Sequence, residues 1–226
     1  MILEATLPCA YLLLTCGSSI YALYKHSYNE HSTLLSHFIF AFIGFTTLGI
    51  RSLHSVTFKL FFKSYTLDLS MIETEEMENR IKINVFDQIL NHTSRTSLIC
   101  SLFFHHGHYL LGINALTNFF ICNLIHCQTL MSQDQNETIS IYLFYERSLF
   151  NGVSEIFMFL ELLTTSYVMW LNNNNYGFIA SFYYAITTAL FPTEGFYQGW
   201  TIYRAVNNYI TMAYVILMTE ALKQLQ

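Results

Sequence analysis

Charge is the scarcest ingredient of this chain. Asp, Glu, Lys and Arg together make up 11% of its 226 residues, less than half of the roughly 25% found in a soluble domain. Hydrophobic residues reach 53%, with 20 Phe and 16 Tyr among them. A water-soluble fold of this size would lack the polar surface to cover itself. Positive charge is scarcer than negative, ten residues against fifteen, for a net charge of -5 with no basic stripe. That excludes nucleic acid as a natural partner and leaves membrane lipids as the expected one. The five cysteines, Cys9, Cys16, Cys100, Cys122 and Cys127, are odd in number and form no C-x-x-C pair, which excludes a disulfide framework and a zinc-finger site. Four of them sit in apolar stretches and read as small buried hydrophobes. No basic residue precedes the first apolar run, Leu7 to Tyr24, and Glu4 does. That is a poor start for a cleaved signal peptide, so the run reads as a retained first span. There is no internal repeat, no low-complexity linker and no second domain, so residues 1–226 read as a single transmembrane domain.

What is present is a succession of long apolar stretches. The first, from about Glu4 to Tyr24, is long enough to cross a hydrocarbon core of about 30 Å. A polar joint, K-H-S-Y-N-E, leads to a second stretch from about His31 to Ile50, which carries Ser36, His37 and a Gly44 that permits close approach of another helix. Arg51 to Met71 has an apolar side with Arg51, Lys59 and Lys63 along it. It reads as an amphipathic interfacial helix, with a span whose lysines snorkel as the alternative. The run E-T-E-E-M-E-N-R then reads as a solvated loop, and it lacks the spacing of a calcium-binding loop. Ile81 to Ile125 contains Asp87, His92 and Arg95, with Gly107 and Gly112 as candidate break points. It forms either two short helices meeting near His105 or one long tilted helix. A polar loop from Cys127 to Ser140 holds the sequon at Asn136, the candidate glycosylation site; a second sequon starts at Asn91. Ile141 to Leu171, a turn at the four asparagines 172 to 175, a span from Tyr176 stopped by Pro192 and a last span from about Ile202 to Ala221 complete the chain. The expected fold is an all-α, polytopic integral membrane helical bundle of six or seven transmembrane helices.

Orientation follows from basic residues near span ends. Arg51, Lys59, Lys63, Arg80, Lys82 and Arg95 crowd the region after the second stretch, which assigns it to the cytosol. The 127–140 loop has none and is lumenal if a single span separates the two. Lys223 puts the C-terminus in the cytosol under a six-span count; a seven-span count is equally open.

The chemistry concentrates in L-F-F-H-H-G-H, where His105, His106 and His108 lie inside an apolar-dominated stretch. Imidazole there is costly unless it is paired, ligating or facing water. In chain order stand Ser36-His37, Asp87, His105-His106 and Glu161, the last opening E-L-L-T-T-S-Y-V-M-W. This order resembles the TLC-domain membrane family, which includes the ceramide synthases and the translocon-associated membrane proteins, over about residues 30–222. The resemblance implies a lipid-handling protein of the endoplasmic reticulum or another endomembrane, and a ceramide synthase-like acyltransferase in its sharpest form. In place of the paired aspartates that follow the histidines in ceramide synthases, this chain reads N-F-F-I-C-N. The H-x-x-H-H box of fatty-acid elongases is absent.

An acyl transfer to a lipid amine or alcohol needs a base for the nucleophile's proton. His105 or His106 would supply it, with Glu161 or Asp87 as orienter and Ser36 or His37 on a facing helix. Against this stands a packing role, in which the same groups hydrogen-bond across helices in a non-enzymatic regulator or assembly subunit. A small transporter with a His/Glu-lined path is the third reading. Metal ligation is disfavoured because three histidines at i, i+1 and i+3 do not face one point on a helix, and no cofactor is expected. Glu155 and Glu161, six residues apart, do not form an acid pair.

Overall fold

The computed structural model describes residues 2–31, 35–62, 75–132, 140–190 and 200–224, with side chains described over 6–29, 35–54, 86, 89–124, 156–187 and 206–224. The described residues form seven helices and no strand: α1 Ile2–His31, α2 Ser36–Phe62, α3 Glu75–His105, α4 Tyr109–Ser132, α5 Ser140–Leu171, α6 Asn175–Leu190 and α7 Trp200–Lys223. The fold is all-α. Consecutive helices alternate in direction and pack side by side, and α7 returns to α1 and closes the ring. Helix α3 also reaches across to α5 and α7, and α4 against α5 is the sparsest seam between consecutive helices among the described residues.

Two turns hold one end of the ring together. Between α3 and α4, Gly107 takes φ +75°, a left-handed conformation that glycine adopts without a Cβ penalty. Around it His108 N–H donates to the Phe103 carbonyl at 2.8 Å and Gly107 N–H to that of Phe104 at 3.2 Å, so the orphan carbonyls at the end of α3 are satisfied. Of the two readings of Ile81–Ile125, the hairpin of two helices is the one adopted, with both helices longer than expected. Between α5 and α6 the asparagine run supplies the break: Asn173 stands at φ 56° and Asn174 caps α6 through its Oδ1, which accepts from Gly177 N–H at 2.8 Å.

Two boundaries differ from the sequence reading. Helix α2 continues through Arg51 to Phe62 rather than giving way to a separate interfacial helix. No glycine or proline interrupts R-S-L-H-S-V-T-F-K-L-F-F, and Arg51 and Ser52 turn inward, 5% and 3% exposed. The charged run after it is helical from Glu75 onward; acidic residues in a first turn complement the positive end of the helix dipole.

The bundle buries polar groups beside a hydrophobic core and leaves many large apolar side chains exposed. Leu14, Tyr21 and Leu110 are among many exposed large apolar side chains, whereas Arg51, Asn91, Arg95, Ser101, Thr165, Ser181 and Thr211 are buried. Two helical segments, Thr6–Asn29 and Ser36–His54, are long and apolar enough to cross a membrane, and Tyr109–Leu124 and Ile156–Leu171 are shorter apolar helices.

The helix count corrects one premise about orientation. Both α3 and α4 lie between the α2–α3 and α4–α5 connections. These connections therefore join helices at the same end of the bundle, not at opposite ends. Arg51 and Arg95 also cannot serve as flanking charges, because both are interior.

Candidate functional site

The antiparallel order brings the C-terminal ends of α1, α3, α5 and α7 together with the N-terminal ends of α2, α4 and α6. The histidines gather at this end. His37, in the first turn of α2, and His105, the last residue of α3, meet with Nε2 of the former 3.1 Å from Nδ1 of the latter. The other His105 nitrogen, Nε2, lies 3.1 Å from the backbone carbonyl oxygen of Gln224, just past α7. A carbonyl only accepts, so neutral His105 carries its proton on Nε2 and donates it there. Its Nδ1 then accepts from the Nε2–H of His37. The pairing is braced by Ser101, whose hydroxyl donates to the His37 carbonyl at 2.8 Å.

His106 points elsewhere. Its Nε2 accepts from the side-chain amide of Asn174 at 2.9 Å, and the same amide nitrogen donates to the Ala221 carbonyl at 2.9 Å. His108 Nε2 accepts from the Asn172 amide at 2.9 Å. The adjacent histidines therefore do not act as a unit. The pair that forms is His37–His105, across helices, while His106 and His108 tie the α3–α4 turn to the α5–α6 turn.

The remaining candidates do not join the cluster. Glu161 lies on α5 ten residues before its end, about 15 Å along the axis from the histidines. Its Oε1 is buried without a hydrogen-bond partner, and its field falls on Cys100 and Tyr214. Asp87 lies on the same continuous α3 as His105, eighteen residues earlier, which is about 27 Å of helix and too far to orient the imidazole; its side chain is outside the described residues. Ser36 is exposed at the start of α2. Asn136 lies outside the described residues. Asn91, the other sequon, is 5% exposed and its Oδ1 accepts from Arg51 Nη1 at 3.1 Å, so the folded chain offers no access to it.

A second polar layer, which the sequence reading did not find, lies deeper in the bundle. Arg95 Nε donates to the Tyr184 hydroxyl at 3.2 Å, and the Tyr184 and Tyr214 rings stack with centroids 4.2 Å apart. About one turn further along, Arg51 meets Asn91, Ser52 donates to the Cys9 carbonyl at 2.6 Å and the Asn208 amide contacts Cys9 Sγ at 3.1 Å. The available signal was an arginine ten residues before the histidines in a membrane-length helix, where a cation nearly always faces the bundle interior. Among the described residues no group of three or more His, Cys, Asp or Glu is arranged to hold a metal ion.

His106 makes one prediction. Burial, then the charges of His105 and His108, pull its imidazole down from 6.5 to about 4. It is therefore neutral at physiological pH, as an acceptor of the Asn174 amide must be. Between pH 6.5 and about 4 the unfolded chain binds the proton more readily than the folded one. The stability contributed by this group is complete above 6.5, falls as pH drops through that window and levels below it. Melting temperatures of the purified protein in detergent are expected to decline across the window. His106→Gln, which retains an acceptor oxygen, should show a shallower decline; identical slopes would contradict the assignment.

No protein-family model, curated protein or solved structure matches this chain.

Proposed function

We propose that the chain is a seven-span integral membrane protein of the endoplasmic reticulum or another endomembrane that handles lipids in the manner of TLC-domain proteins, with His105 as the proton acceptor and His37 as its partner. The observation that carries the reading is the His37–His105 contact, formed at one end of a bundle that exposes many large apolar side chains and buries polar groups beside its hydrophobic core. For His105 to act as a base, a substrate amine or hydroxyl takes the place of the Gln224 carbonyl on Nε2. The resting imidazole proton then sits on Nδ1 and is donated to His37 Nε2, so the pair accommodates the switch of tautomer without moving a helix. A positioned base of this kind contributes about 10²- to 10⁴-fold to a rate. A ceramide synthase-like acyl transfer is the sharpest form of the proposal.

A second reading is favoured by the saturation of the cluster. His105, His106 and His108 all have hydrogen-bond partners, as packing groups in a non-enzymatic regulator or assembly subunit would. Expression of the full chain and of His37→Ala and His105→Ala, with protein abundance and cellular lipid profile measured together, separates the two. Under the first reading both variants accumulate normally and lose the chain's effect on lipids, sphingolipids above all. Under the second, abundance falls and lipids follow it. An unchanged lipid profile in both variants at normal abundance would remove the proton-acceptor role.

Orientation is testable independently. Lys59, Arg80 and Lys82 lie toward the α2–α3 connection, and Arg147 and Arg204 near the other connections of that end; the histidine end carries Lys25 and Lys223. The excess of basic residues places the connection end in the cytosol, with the histidine end and C-terminus lumenal. Asn136, between α4 and α5, then lies on the cytosolic side and carries no glycan. Endoglycosidase treatment is expected to leave the mobility of the expressed protein unchanged. A shift abolished by Asn136→Gln would reverse the orientation.

A further inference from the structure

Helix α4 presents two faces of opposite kind. Gly112 turns toward α3: its carbonyl lies 3.4 Å from Cys100 Sγ, and a Cβ on it would strike the Phe104 ring. Ala115, on the same side, is buried. On the far side Leu110, Ile113, Phe120, Ile121 and Leu124 are all more than half exposed, Leu110 to 84%. Asn114 and Thr117 are exposed with them. At about 100° per residue these positions share an arc of about 120°, and α5 meets α4 only along the sparse seam.

One member of this face is out of place against hydrocarbon. Asn114 stands five residues into α4, about 7 to 8 Å along its axis, within the apolar segment Tyr109–Leu124. The other exposed carboxamides among the described residues, Asn29, Asn172, Asn173 and Asn175, lie at helix ends or in the α5–α6 turn. Among the described residues the Asn114 amide has no hydrogen-bond partner. Thr117 differs, since its hydroxyl donates to the Ile113 carbonyl at 2.9 Å. Asn123 folds its Nδ2 back onto the Phe119 carbonyl at 2.8 Å; the same fold at Asn114 would match one N–H and leave Oδ1 bare. Lipid tails supply neither donor nor acceptor, and a single methylene is too short to carry the amide to the headgroups as a lysine stem would. A second asparagine is the complement, because each carboxamide donates through Nδ2 and accepts through Oδ1. Chains inserted in one orientation associate about a two-fold axis along the membrane normal, which holds every residue level with its own copy. Asn114 then stands level with Asn114 of a second chain, and Thr117, the smallest side chain of the face, lets the two helices approach.

We propose that this face of α4 joins two copies of the chain in the membrane, with the two Asn114 amides hydrogen-bonded to each other. The inference rests on membrane insertion and not on lipid handling or on His105 as a base. The test is Förster transfer between full chains carrying donor or acceptor fluorescent proteins at the C-terminus, reconstituted together in phosphatidylcholine vesicles over a range of protein-to-lipid ratios. Transfer is expected to rise linearly with the acceptor fraction, as a dimer requires, and to fall on dilution into lipid. Asn114→Leu keeps the face apolar and breaks no hydrogen bond within the chain, so its melting temperature should not fall. Its dissociation constant should rise about five- to thirtyfold, as for loss of hydrogen bonds between helices in a bilayer. Asn114→Gln, which keeps the carboxamide, should stay within about threefold of the wild type. Wild-type chains that remain single at high protein-to-lipid ratio, leaving the face to lipid or to a different protein, would overturn the proposal. So would an unchanged dissociation constant in Asn114→Leu. Wild-type protein washed from the vesicles by alkaline carbonate would overturn the membrane reading itself, an outcome distinct from single chains retained in lipid.

Discussion

Asn174→Ala is expected to destabilise the bundle by about 3 kcal/mol, the sum of a lost helix cap at about 1 and two lost buried hydrogen bonds at about 1 each. The residue is 1% exposed and every polar atom of its amide is engaged. Oδ1 holds Gly177 N–H, and Nδ2 reaches both His106 Nε2 and the Ala221 carbonyl. Alanine leaves an imidazole nitrogen and a carbonyl oxygen without their donor in a place that water does not readily fill. Asn172→Ala is the control. It sits two residues earlier, is exposed, and donates to His108 in a comparable geometry, so its loss is expected to cost well under about 1 kcal/mol because water replaces the amide. Asn174→Asp separates the two halves of the role. Its carboxylate still accepts from Gly177 N–H but sets a buried negative charge against the Ala221 carbonyl oxygen and the acceptor nitrogen of His106, so its cost should equal or exceed that of alanine. Denaturant or thermal unfolding in one detergent gives all three values; equal costs for Asn172→Ala and Asn174→Ala would show that the amide does not bind the α5–α6 turn to α7.

This hub illustrates what the sequence could and could not disclose. The histidine stretch, the break at Gly107 and the asparagine turn are local features; the expected stop at Pro192 lies outside the described residues. Each depends on a residue type that permits or forbids a backbone conformation, and each is visible in a short window. The partners of the histidines are not local. His105 meets a residue 68 positions earlier and another 119 positions later, and no periodicity within one helix encodes which helix ends coincide. Adjacent His105 and His106 read as a pair because they are neighbours in sequence; one helix position rotates a side chain by about 100°, and that is enough to send them to different partners. The arginines misled for a different reason. In sequence Arg51 and Arg95 read as charges flanking spans, where basic residues are usual, yet both lie inside long helices and point inward. Length alone would have placed α2 and α3 across them.

Gly44→Leu is expected to have the largest effect of any single substitution on the bundle. A Cβ at this position would stand 2.7 Å from Leu98 Cγ, 3.0 Å from Leu98 Cδ2 and 3.0 Å from the Ser94 carbonyl oxygen. A leucine side chain can rotate; a backbone carbonyl bonded within α3 cannot move without moving the helix. Even Gly44→Ala should cost about 1–3 kcal/mol as an overpacked contact, despite the gain of about 1 kcal/mol in helix propensity. Leucine adds three further carbons to the same gap and should force α2 and α3 apart. That seam carries the Arg51–Asn91 bond, the Ser101 brace on His37 and the His37–His105 contact, so the polar interior is lost along with the packing. Two other glycines supply the scale. At Gly49 the nearest atom is Leu13 Cδ1 at 3.2 Å, the free end of a side chain, and at Gly17 nothing lies within 4 Å. Gly49→Ala should therefore be near neutral, and Gly17→Ala should stabilise by up to about 1 kcal/mol through helix propensity alone. Leu98→Ala combined with Gly44→Ala removes the side-chain clash and leaves the carbonyl contact. Partial rescue by this pair is the outcome that places the limit at the Ser94 backbone. Full tolerance of Gly44→Leu, read as wild-type yield and melting temperature, would mean that α2 and α3 do not approach as closely as the His37–His105 contact requires.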